Sequence, residues 1–78
     1  MAMDRLNWQP TCCGWHGEYA EHPLSGGGVA RVKRSPTLPV STVLICRFGL
    51  DNKPIDKDEE GVPAYVEMSE NEADAMLA

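Results

Sequence analysis

The densest apolar run in the chain is residues 40–48, VSTVLICRF. Read with a period of two, Val40, Thr42, Leu44, Cys46 and Phe48 fall on one side and Ser41, Val43, Ile45 and Arg47 on the other. Both sides are apolar at the midpoint, where Val43 and Ile45 oppose Leu44 and Cys46. A strand with one wet face alternates more cleanly, so the pattern predicts a central strand covered on both faces. A second strand is predicted over residues 29–35, with Ala30 and Val32 inward and Arg31 and Lys33 outward. A third is predicted over residues 62–68. There Val62, Ala64, Val66 and Met68 share a face, Tyr65 and Glu67 share the other, and Pro63 sits near the start, where a missing N–H is tolerated.

The clearest local signal closes the chain. Ser69 and Glu72 form a capping box, in which the Ser69 hydroxyl accepts from the Glu72 N–H and the Glu72 carboxylate reaches back to the Ser69 N–H. Glu70 and Glu72 also place negative charge in the first turn. A helix from Glu70 to about Ala78 follows, with Ala73, Met76 and Leu77 as its inner face. So short a helix is marginal alone and must dock on the sheet.

The connecting segments read less regularly. Pro10 and Gly14 exclude a helix through residues 6–17, which are expected to be extended or bulged, an edge strand whose Trp8 and Trp15 cover one face of the central strand. Residues 18–22 predict a short strand or turn closed by Pro23. Leu24 and the glycines at 26–28 predict a flexible loop, and the SPTLP run at 35–39 turns the chain into the central strand. Residues 49–61 form an acidic connection in which Ile55 is the only apparent anchor. The resulting fold class is α+β: a small antiparallel sheet of three to four strands with a short C-terminal helix packed on it, in a single domain over residues 1–78.

A chain of 78 residues supports one small core and modest net stability. Its charge sharpens the picture. Residues 1–50 carry five cations against three anions, a balance of +2, and residues 51–78 carry two against nine, a balance of −7, which together give the net −5. The acidic third repels nucleic acid and steers basic partners toward itself. The first residues lack the apolar core of a signal peptide, and no run approaches a membrane span, so a cytoplasmic location is expected. Three cysteines, two of them adjacent, do not make a secreted disulfide framework; reduced thiols are expected.

Candidate chemistry is sparse. Cys13 and His16, with Cys12, His22 and Cys46, contain enough donors for a tetrahedral zinc site. Adjacent cysteines on an extended chain diverge, however, Cys46 belongs to the core strand, and no second close pair completes the set, so no metal is assigned. Asp56, Asp58, Glu60, Gly61 and Glu67 match EF-hand spacing, but Pro54 and Pro63 deny the flanking helices, and an exposed acidic hairpin loop is expected instead. Cys12 or Cys13 with His16 or His22 lacks anything to orient the base, and the chain is too small for a deep pocket. No enzymatic activity and no cofactor are assigned. Arg31, Lys33 and Arg34 beside the glycines suggest nucleic acid. The net acidity and the want of an aromatic neighbour in sequence weigh against direct binding.

A non-enzymatic protein-binding module remains. Its binding residues are Asp56, Asp58, Glu59 and Glu60, imitating phosphates, or Arg31, Lys33 and Arg34, gripping an acidic or nucleic-acid surface. The expected partner is a protein, with a nucleic-acid-binding complex as its class and no membrane involved. The setting is that of a phage or mobile-element accessory protein inhibiting a host defence complex, by analogy with anti-CRISPR proteins and on no family motif. The alternatives are an assembly subunit that completes its core as a homodimer or larger homo-oligomer, and a small zinc-binding domain.

Overall fold

A computed structural model describes residues 6–10 and 17–77. Among these residues five strands, β1 (Gln9–Pro10), β2 (Glu18–Pro23), β3 (Val29–Arg34), β4 (Thr42–Phe48) and β5 (Val66–Ser69), precede one helix, α1 (Glu70–Leu77). The strands form a single antiparallel meander in the order β1-β2-β3-β4-β5. The α+β class and terminal helix match the sequence reading, but the strands number five rather than three to four. The shortest is β1, two residues that pair Gln9 with Tyr19 and Pro10 with Glu18, within the 6–17 segment read as extended or as an edge strand.

Strand parity divides the sheet into two unlike faces. On the first, Ala20, Val32, Ile45 and Val66 lie in one cross-strand row, and Val43 pairs with Met68. Leu6, Ala73 and Leu77 join Ala20, Ala30, Val32, Val43 and Ile45 in the buried core, with Trp8, Leu24, Met68 and Met76 packed around it. Alanines at 20, 30 and 73 leave room for the helix and the N-terminal segment to approach the larger Val32, Val43 and Ile45. The expected inner face of the helix is therefore the observed one. Trp15 lies outside the described residues.

The second face carries Leu44, Cys46 and Phe48 from β4. Cys46 is completely buried and Phe48 nearly so, because the 49–65 connection folds back against them. The Cys46 thiol donates to the Asp56 carbonyl at 3.3 Å. β4 is thus covered on both sides at its middle, as its two-sided apolar pattern requires. It begins two residues later than expected. Thr42 N–H bonds the Pro39 carbonyl at 3.2 Å, so the turn that starts at Ser35 runs on through Val40, which is 94% exposed, and Ser41, at φ 59°.

The glycine run is a closed turn rather than a flexible loop. Gly27 N–H bonds Leu24 O at 3.0 Å, and Leu24 N–H bonds Gly28 O at 3.1 Å. Gly28 (φ 85°) lies so close to β4 that a Cβ there would stand 2.2 Å from the Phe48 carbonyl oxygen. The third predicted strand is also shorter than expected. From this region only residues 66–69 form a ladder with β4, because residues 62–64 pair instead with 56–58, which lie next to the end of β4 that Pro54 and Ile55 cover. At the helix start the Ser69 hydroxyl accepts from Glu72 N–H at 3.1 Å as expected, but the Glu72 carboxylate accepts from that same hydroxyl at 3.2 Å.

Candidate functional site

The acidic candidates lie on a small hairpin built from residues 54–64. Ile55 N–H bonds the Arg47 carbonyl at 2.7 Å, Lys57 bridges Pro63, and Ala64 N–H bonds the Asp56 carbonyl at 2.9 Å. Its tip is a turn closed by Gly61 N–H on Asp58 O at 3.1 Å, with Gly61 at φ 83°. This is the exposed acidic hairpin loop expected from the sequence, and its four carboxylates have separate roles.

Asp56 fastens the hairpin to β4. Its Oδ2 accepts from Arg47 N–H and from Arg47 Nε, each at 3.0 Å, and its Oδ1 accepts from Arg47 Nη2 at 2.8 Å. The guanidinium hydrogen bond holds the Asp56 carboxyl below its ordinary range, against the opposing effect of burial. Ile55, the expected anchor, is 49% exposed; backbone pairing and one charge-assisted contact hold the segment instead. Asp58 Oδ1 accepts from Glu60 N–H at 2.9 Å and Val62 N–H at 3.0 Å, which locks the tip. Glu59 and Glu60 are exposed, and their carboxylates form neither an ion pair nor a hydrogen bond among the described residues. Of the four predicted acidic residues, Glu59 and Glu60 are thus presented outward, while Asp56 and Asp58 shape the loop that presents them.

The basic candidates do not form one cluster. Arg31 and Lys33 lie on the second face, and Arg34, one residue on, belongs to the first. Arg31 bonds Glu21 at 3.4 Å and lies 5.1 Å from the Phe48 ring centroid. Lys33 is 4.3 Å from the Tyr65 centroid, and Arg34 stacks 3.9 Å over Trp8 while pairing with Glu18 at 3.6 Å. Aromatic partners that are distant in sequence are therefore adjacent in space. The cations occupy those rings, however, and leave them poorly placed to stack on bases. Burial pushes the Tyr65 hydroxyl above the usual phenol range, against the opposing effect of the Arg31 guanidinium.

The zinc and nucleophile candidates separate. Cys12, Cys13 and His16 lie outside the described residues. His22 shares the first-face row with Ala30 and Arg47, whereas Cys46 lies on the second face, so the sheet itself stands between those two. Burial raises the Cys46 thiol above its ordinary range, with the Asp56 charge adding to the effect. No group of three or more His, Cys, Asp or Glu residues able to hold a metal ion occurs among the described residues. An open groove of about 340 Å³ lies under the 35–41 turn, lined among others by Arg34, Leu38, Val40, Ser41 and Glu70. No helix among the described residues is long and apolar enough to cross a membrane.

Comparison with protein-family models, with curated proteins and with solved structures finds no match. The functional reading therefore rests on the geometry of this chain alone.

Proposed function

We propose that the chain is a non-enzymatic protein-binding module that offers the 56–61 acidic hairpin and the neighbouring acidic strand and helix to a basic protein surface. The supporting observation is the contrast between the two candidate surfaces. Arg31, Lys33 and Arg34 are each engaged with an aromatic ring, whereas Glu59 and Glu60 project from a locked turn with uncommitted carboxylates. A preformed acidic projection loses little freedom on docking, and the stretch 51–78 to which it belongs carries a balance of −7. Carboxylates so displayed imitate nucleic-acid phosphates. The proposed partner is accordingly a nucleic-acid-binding protein complex, and the proposed setting is that of a phage or mobile-element inhibitor of host defence.

The test compares Glu59→Lys/Glu60→Lys with Arg31→Glu/Lys33→Glu in binding to purified nucleic-acid-binding defence complexes over a range of salt. Loss of binding by the first pair alone, with wild-type binding that weakens as salt rises, supports the reading. Retained binding by the first pair overturns it.

A further inference from the structure

We infer that the outer edge of β5 is a strand-addition site for an extended, cationic segment of another protein. This rests on the protein-binding reading above and specifies its mode. β5 ends the sheet, and no strand pairs with its outer side among the described residues. Register shows which backbone groups face outward. The Glu70 N–H bond to Ser41 O continues the β4–β5 ladder, in which Met68 faces Val43 and Val66 faces Ile45. Hydrogen-bonded and non-bonded pairs alternate in an antiparallel ladder, so Met68 and Val66 bond inward, and the N–H and C=O of Glu67 and the N–H of Ser69 point away from β4.

The side chains mark the same edge as unfinished. In the row Ala20, Val32, Ile45, Val66, the first three are at most 1% exposed and the last is 47% exposed. An added strand would continue that row and cover Val66 with an apolar side chain. On the other face it would place its alternate side chains beside Glu67. β5 has no proline or lysine of the kind that usually closes an edge; its only charge is Glu67. That charge selects the occupant. A second copy added edge to edge would bring together two segments that each carry −7, with one Glu67 directly against the other in the register centred on that residue, and like charges so arranged repel. A strand alternating Lys or Arg with Val or Ile meets Glu67 and Val66 with complementary chemistry.

The experiment titrates the ¹⁵N-labelled protein with a capped six-residue peptide of alternating Lys and Val, read by amide chemical shift and hydrogen exchange. The expected result is saturable binding below about 1 mM that slows exchange at the Glu67 and Ser69 amides at least about tenfold. An alternating Glu-Val peptide and a Lys-Val peptide N-methylated at every amide should not bind. Glu67→Lys should weaken the Lys-Val peptide at least about fivefold. Equal binding of the N-methylated peptide, or binding without protection at Glu67 and Ser69, overturns strand addition but leaves the acidic-surface reading standing. Absence of saturable binding overturns strand addition as well, while the Glu59→Lys/Glu60→Lys comparison judges the broader reading independently. Concentration-dependent protection of Glu67 in the protein alone would assign the edge to a second copy and also overturn the inference.

Discussion

Replacing Asp56 with alanine detaches the acidic hairpin from β4, and the size of the effect follows from three contacts. The carboxylate accepts from the Arg47 backbone N–H and from two guanidinium nitrogens at 2.8–3.0 Å. The Asp56 side chain is 17% exposed but that of Arg47 is 40% exposed, so water screens the ionic part. A surface ion pair of good geometry contributes about 1 kcal/mol, and the loss of an acceptor for a part-buried backbone N–H adds about 1 kcal/mol. The expected cost of Asp56→Ala is about 2 kcal/mol, against a total stability of about 4–12 kcal/mol for a domain of this length. That corresponds to a fall in Tm of about 8–16 °C. Glu59→Ala removes a carboxylate that has no hydrogen bond or ion pair among the described residues, and it should stay within about 0.5 kcal/mol of wild type.

The same contact makes a pH prediction. The folded Asp56 carboxyl lies below its unfolded value, so the unfolded chain binds the proton more readily. Its contribution is therefore complete above the ordinary aspartate value of about 3.9 and is lost as pH falls through the lower folded value. Asp56→Asn should flatten the stability profile in that window. Thermal unfolding followed by circular dichroism from pH 2 to 7 measures both effects. A Tm change under about 3 °C for Asp56→Ala, or superimposable acid profiles for Asp56→Asn and wild type, would refute the anchoring role.

Three further outcomes are expected. Gly28→Ala should cost at least about 3 kcal/mol in chemical denaturation, from a left-handed backbone and a collision with Phe48 O, whereas Gly26→Ala, with open space around it, should be near neutral. Ser69→Ala removes the acceptor for Glu72 N–H and should cost about 1 kcal/mol, read as a lower midpoint with an unchanged denaturant slope. In a Cys12→Ser/Cys13→Ser background, Cys46 should react with a thiol reagent at pH 8 at least about 100-fold more slowly than in denaturant, since the thiol is buried and its ionisation is opposed. Rapid native labelling would contradict the burial.

What could be read from the residues alone was local or periodic. The two-sided apolar pattern of residues 40–48 announced a strand covered above and below, the alternation at Ala30 and Val32 oriented β3, and Ser69 with Glu72 placed the helix start. Each of these depends on neighbours a few positions away, where the backbone's period of two or 3.6 dictates who faces whom. The same alternation already separated Arg34 from Arg31 and Lys33, although adjacency in sequence suggested one cluster.

The candidate surface needed the tertiary structure. Four acidic residues in five positions look equivalent as a string, yet Asp56 binds Arg47, nine residues away, Asp58 holds its own turn, and of the four only Glu59 and Glu60 keep unbonded carboxylates among the described residues. The glycines at 26–28 likewise look alike until Gly28 alone is seen against the Phe48 carbonyl. Contacts of that kind depend on how a non-repeating connection of some seventeen residues folds back onto the sheet, and no short-range periodicity encodes the path. The chain itself determined its strands, its helix and the sign of its charge; long-range closure decided which charges became internal fastenings and which were left facing outward.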